Sequence, residues 1–399
     1  MAGAPQHRRL RALGSHVQPI AAAAIRVPVY VGGHHAGSRA VSAASGEGGR
    51  PLAFAPPIAL PPPVFDARAA DQAPAMKFFD TYGLVVLGNA LAADEVAWLN
   101  GWFDASQRTD AVGWGVPSDP DGKGEWSLGA SHCLRDGANL SFPPLDALPF
   151  HRGHYGLVAA LLGGDETTFF SDLMFRETPP TGTAQRFHQD NGTAATSHPE
   201  RIAAKGGARR HEYICAMHYL SDVSAASPCF SVIPQSQRFI ASGGWPEGVH
   251  NGAPEAAPDA LQQFEAVCDA SGIAGVFQPV FCHAPAGTCV LYDINSFHAR
   301  QDAATPGSTT RRRAMHSWYS RGDVPPMMDF ILLPKRLVEH DDPAVRRFYS
   351  LQAVSDKMRW YRARGYTLQG TSVAERAMLF EPAEGHVDTD YAATYAGLL

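Results

Sequence analysis

The chain has 399 residues, 45% of them hydrophobic and 18% charged, with a formal net charge of −6. That length suits one large domain with extensions, or two domains, and the composition is that of a folded chain rather than a disordered one. The acidic balance argues against nucleic acid as a main partner, and no apolar run reaches membrane-spanning length.

Arg8, Arg9, Arg11, Arg26 and Arg39 all precede the first acidic residue, Glu47. An Arg-bearing, acid-poor leader fits a transit peptide, so the expected location is intracellular: mitochondrial or plastid through the leader, otherwise cytoplasmic. Prolines crowd positions 51–63 and read as a stiff spacer. Residues 1–65 are therefore expected to be a disordered leader. None of the six cysteines, Cys133, Cys215, Cys229, Cys268, Cys282 and Cys289, forms a C-x-x-C pair, and reduced buried thiols are expected.

Folding signals begin near residue 66. A helix is predicted over Ala73–Tyr82, a buried strand over Gly83–Leu87, and an amphipathic helix opening at Ala92 with Val96, Leu99 and Phe103 on one face. Residues 109–145 read as a long ordered loop, and His151–Leu162 as a helix stopped by Gly163-Gly164. Strands are predicted at Thr167–Glu177, Ile214–Leu220, Cys229–Pro234, Gly287–Ile294 and Arg312–Tyr319, with an insertion over 241–285 holding a helix at Pro258–Asp269. Residues 336–399 read as a helical C-terminal extension that includes a helix at Pro343–Met358. The expected fold class is α+β with a mainly β core. Many short strands punctuated by turns predict a cupin-like jelly roll over 66–335, with flanking helices.

Within that core, Gln185–Asp190 carries a His-x-Asp pair. On an extended chain His188 and Asp190 project from the same face. With one further histidine they make a 2-His-1-carboxylate set, which holds Fe(II) and leaves positions open for reactants. His298 ends a strand pattern and supplies it, and the Arg-led strand at 311–313 can carry the carboxylate anchor of a keto-acid cosubstrate. His211, His218, His283 and His316 read as core histidines with satisfied hydrogen bonds, although His218 could face the barrel interior. The cluster Arg201, Lys205, Arg209 and Arg210 reads as a solvated loop or a cover for an anionic substrate.

These pieces resemble the phytanoyl-CoA dioxygenase family of Fe(II)/2-oxoglutarate oxygenases. They are Tyr82-Gly-Leu-Val-Val-Leu, Phe187-His-Gln-Asp190, Leu220-Ser-Asp-Val, Ser227-Pro-Cys-Phe-Ser-Val-Ile-Pro-Gln-Ser-Gln, Gly287-Thr-Cys-Val-Leu-Tyr, His298 and Arg312-Arg-Ala-Met-His-Ser-Trp-Tyr. The resemblance implies a double-stranded β-helix with His188, Asp190 and His298 as ligands of Fe(II). It also implies Arg312 as anchor of 2-oxoglutarate and Gln189 as a helper at the pocket edge. If Arg312 points inward, Arg311 and Arg313 should point away. The implied reaction uses O2 and 2-oxoglutarate to hydroxylate an unactivated C–H bond of a small organic substrate, an acyl-CoA or a natural-product metabolite, releasing succinate and CO2. A carboxylate at 190 favours hydroxylation over halogenation. The alternative is a non-catalytic, cupin-like metal- or small-molecule-binding protein. The chain departs from the family where His298 is followed by Ala299-Arg300 instead of a small Gly-Ser. Arg300 either narrows the pocket, pairs with an anionic substrate, or projects into solvent.

Overall fold

Alternation along two central strands organises the molecule. A computed structural model describes residues 54–109, 132–134, 145–181, 184, 185, 187, 188, 211–238, 276–322, 331–349 and 377–380. Strands are β1 (Val64–Asp66), β2 (Leu84–Gly88), β3 (His132–Leu134), β4 (Thr168–Thr178), β5 (Tyr213–Tyr219), β6 (Cys229–Val232), β7 (Val280–Cys282), β8 (Cys289–Asp293), β9 (His298–Gln301), β10 (Arg312–Arg321), β11 (Ile331–Pro334) and β12 (Ala377–Phe380). Helices are α1 (Ala73–Tyr82), α2 (Ala93–Thr109), α3 (Tyr155–Leu162), α4 (Lys335–Val338) and α5 (Pro343–Phe348). A seven-stranded sheet runs β1-β2-β8-β5-β10-β4-β3, and a three-stranded sheet runs β7-β6-β9. The fold is α+β and sheet-dominated, with few helices.

Every residue of β5 is buried, because both faces of the large sheet are covered. Ile214 and Ala216 join a core with Phe79, Leu99, Phe103, Leu157, Leu161 and Phe348 from the helices. Cys215, Met217 and Tyr219 face the other way, into a second core shared with Cys229, Phe230, Val232, Val280 and Cys282 of the small sheet. The same parity divides β10: Met315 and Tyr319 lie on the helix side, Ala314 and Trp318 on the side of the small sheet. The parity survives to the end of β10 through a bulge, where Trp318 pairs with Asp172 and Tyr319 with Phe170, skipping Ser171.

Local chemistry sets the element ends. Glu95, in the first turn of α2, accepts the Ala92 backbone N–H at 2.5 Å, one half of a capping box, satisfying a donor the helix cannot satisfy itself. Gly83 ends α1 with φ +76°, its N–H bonded to Phe79 O. A Cβ there would meet Ser296 Oγ at 2.5 Å and the Gln237 amide, so both the backbone angle and the space require glycine.

Several expectations are corrected. A short 3-10 turn at Leu148–Phe150 precedes α3, which starts at Tyr155 rather than His151. The region expected to be loop at 109–145 contains β3, an edge strand on β4 too short to leave a periodic signal. The extension expected to be helical holds α5 but also β12, which pairs in parallel with β11. β1 straddles the expected leader boundary and pairs with β2, and upstream of it Ala55 exchanges hydrogen bonds with the Gln235 side chain. The expected helix at Pro258–Asp269 and the basic cluster at 201–210 lie outside the described residues.

Candidate metal and cosubstrate site

His188 and His298 come from distant parts of the chain and meet across a β-bridge. Each donates its backbone N–H to the other's carbonyl at 2.9 Å, and the ring centroids are 4.8 Å apart. His298 opens β9 opposite Val232, and its ring lies 4.9 Å from that of Tyr292 and 5.6 Å from that of Phe230. Its Nδ1 is 3.0 Å from the Ser296 carbonyl. A carbonyl only accepts, so Nδ1 carries the proton and Nε2 keeps its lone pair, the tautomer a metal ligand needs. The turn that presents His298 is itself tied down. Phe297 N–H donates to Ser236 Oγ at 2.8 Å, and that hydroxyl donates to Ile233 O at 2.6 Å.

Gln189 and Asp190 lie outside the described residues. Among the described residues no group of three metal-capable side chains comes together, which leaves the imidazole pair as the visible part of the expected ligand set.

The three consecutive arginines separate as strand parity demands. Arg311 reaches Glu177 at 3.1 Å with its side chain 52% exposed. Arg313 bonds Glu177 at 2.8 Å and Asp104 at 2.7 Å. Arg312 is 1% exposed on the opposite face, and its Nε and Nη1 have no hydrogen-bond partner among the described residues. Burial pulls its pKa down from the ordinary guanidinium value, while Tyr219 opposes that and the nearby Arg176 reinforces it. An enclosed cation with unused donors is costly by itself and suited to a carboxylate held in two places. The residues present therefore fit both groups: two imidazoles for a metal ion, and a guanidinium fork for an acidic cosubstrate.

Tyr219, Tyr292 and Arg176 were not singled out from the sequence. The signal was available in strand parity, since Tyr219 and Tyr292 fall on the side of the second core and Arg176 pairs with Ala314. His218 does not face the interior. It sits on the helix side of β5, edge-on to His154 at 4.6 Å, and neither ring nitrogen has a hydrogen-bond partner among the described residues. Burial, helped by the charge of His151, pulls its pKa to about 3. His283, expected in the core, is exposed. Cys229, Cys282 and Cys289 are free and buried, and Cys215 is buried, as expected; burial raises Cys229 to about 11 although Arg312 pulls it down. A cavity of about 380 Å³ lined by Arg68, Gln72, Arg152 and His154 contains none of these site residues.

The family model for phytanoyl-CoA dioxygenase matches residues 79–314, more than half of the chain. The chain belongs to the phytanoyl-CoA dioxygenase family. It is accordingly a non-haem Fe(II)- and 2-oxoglutarate-dependent enzyme that uses O2. Similar solved structures include SnoK, a non-heme alpha ketoglutarate dependent carbocyclase from nogalamycin biosynthesis. It is 15% identical, with 66% of this chain and 89% of that one covered at a TM-score of 0.45. EctD from S. alaskensis with bound Fe is 19% identical, covering 65% and 80% at 0.45. AviO1 from Streptomyces viridochromogenes Tue57 is 16% identical, covering 65% and 98% at 0.41. Comparison with curated proteins returned no match. No helix among the described residues is long and apolar enough to cross a membrane.

Proposed function

We propose that this family member hydroxylates an unactivated C–H bond of a small organic substrate, with release of succinate and carbon dioxide. The reading rests on one observation above all, the mutual pairing of His188 and His298 that brings two imidazoles together. In it, His188, His298 and Asp190 hold the iron, and Asp190 keeps for the carboxylate a position that halogenation would need vacant. Arg312 takes the distal carboxylate of 2-oxoglutarate, with Gln189 assisting at the edge. The two sheets around their shared core are read as the two walls of a double-stranded β-helix.

Bound iron and 2-oxoglutarate together supply the oxidising chemistry. The chain's own part is geometric. The Ser296 carbonyl orients the His298 ring, Arg312 neutralises the cosubstrate's far end, and Phe230 and Tyr292 wall the His298 imidazole against water. The direct test measures succinate formation and iron content in Asp190→Ala and His298→Ala. Both variants should lose succinate formation, and full turnover in either would defeat the ligand assignment. An aerobic metabolite extract should then yield a product one oxygen atom heavier than its parent, which names the substrate.

A further inference from the structure

Arg300 stands two residues after His298, so it leaves β9 on the same side as the His298 ring. Its cross-strand partner is Phe230, whose ring belongs to the core between the sheets. Arg300 is 4% exposed, which rules out projection into solvent.

Depth comes from the register. Phe230 also pairs with Cys282, so Arg300, Phe230 and Cys282 form one row across the small sheet. From the facing sheet, Tyr219 pairs with Ala314 and donates its hydroxyl to the Cys282 carbonyl at 2.8 Å. Arg312 is two residues from Ala314 on the same face of β10. It is also near enough to Cys229 and Cys282 that its charge opposes the rise burial gives both thiols. The two arginines therefore enter the interior from opposite sheets at a common level.

We propose that Arg300 and Arg312 form a two-arginine clamp on the distal carboxylate of the 2-oxo acid, with Arg300 a positioning residue for the cosubstrate. The inference rests on the cosubstrate role given to Arg312 above. A carboxylate offers about four lone-pair sites, enough for two guanidinium forks. Arg176, paired with Ala314 beside Arg312, adds positive charge at this level. The clamp selects a doubly charged keto acid against one whose tail is neutral.

The test uses the full chain loaded with Fe(II) without oxygen. Binding is followed by the visible charge-transfer absorption that a 2-oxo acid produces on iron. 2-Oxoglutarate is compared with 2-oxovalerate, which has the same length but no second carboxylate. Arg300→Gln should weaken 2-oxoglutarate roughly ten- to hundred-fold and leave 2-oxovalerate unchanged, and Arg300→Lys should recover part of the loss. Stabilisation against heat by 2-oxoglutarate should fall in parallel. Unchanged 2-oxoglutarate binding in Arg300→Gln, with binding lost in Arg312→Gln, overturns the clamp and leaves the oxygenase reading standing. Equal weakening of both keto acids also overturns it, as general damage. Absence of the band in the unaltered protein overturns both.

Discussion

Arg312 and Arg313 are adjacent, chemically identical, and treated in opposite ways. Arg313 faces the helix side, where Glu177 and Asp104 take its donors and the Phe103 ring lies 4.6 Å beneath its guanidinium carbon. Arg312 faces the space between the sheets, and among the described residues nothing takes its Nε and Nη1 donors. A guanidinium whose partners are all present serves the fold. One buried with donors to spare imposes a cost on the fold and is suited to a ligand. The difference comes from strand parity and not from residue type.

The comparison can be broken most sharply by Arg312→Gln. Loss of a charged fork from a carboxylate should reduce 2-oxoglutarate affinity by roughly a hundred-fold; titration at near-wild-type affinity would erase the distinction. Next in size is an inverse effect on stability. Arg312→Leu replaces an unpaired buried charge with apolar volume and should raise the stability of the ligand-free protein by about 1–3 kcal/mol in urea denaturation. Arg313→Ala should lower it by about 1–2 kcal/mol and leave cosubstrate affinity alone. Equal signs for the two would mean that both are structural.

A third cation sharpens the same contrast through pH. His211 donates to Asp293 at 2.6 Å and to Asp80 at 2.9 Å. Burial works against its charge, but these two hydrogen bonds outweigh it and push the pKa up to about 9. Because the folded pKa lies above the unfolded one, the stabilisation is fully present below the ordinary histidine value. It is lost as pH rises through about 9. Stability should thus fall by about 2 kcal/mol across that window, reduced by screening at the exposed Asp80. His211→Asn should flatten the profile, and a slope unchanged in the variant would assign the effect elsewhere.

Parity was also what made the sequence readable. β5, β8 and β10 announced themselves as apolar runs, and one inward arginine implied two outward ones. Where parity depended on exact register, the sequence left the side open. Whether His218 faces the interior turns on a single residue of slip, and it lies with Ile214 and Ala216 on the helix side. β3 and β12 were invisible because three or four residues carry no period and owe their existence to β4 and β11. The burial of Arg300 depends on Phe230, a neighbour across the sheet and far away in the chain. Local pattern cannot report such pairings.

The bridge between His188 and His298 has a mechanical side. Backbone hydrogen bonds, the His188–His298 pair and Gln185 N–H on the Arg300 carbonyl, stitch Gln185 and His188 to the rim of β9. An ion gripped by both imidazoles would rivet that seam from the side-chain direction. Stripping iron with a chelator should therefore speed amide exchange first along this stretch, well before the central strands notice.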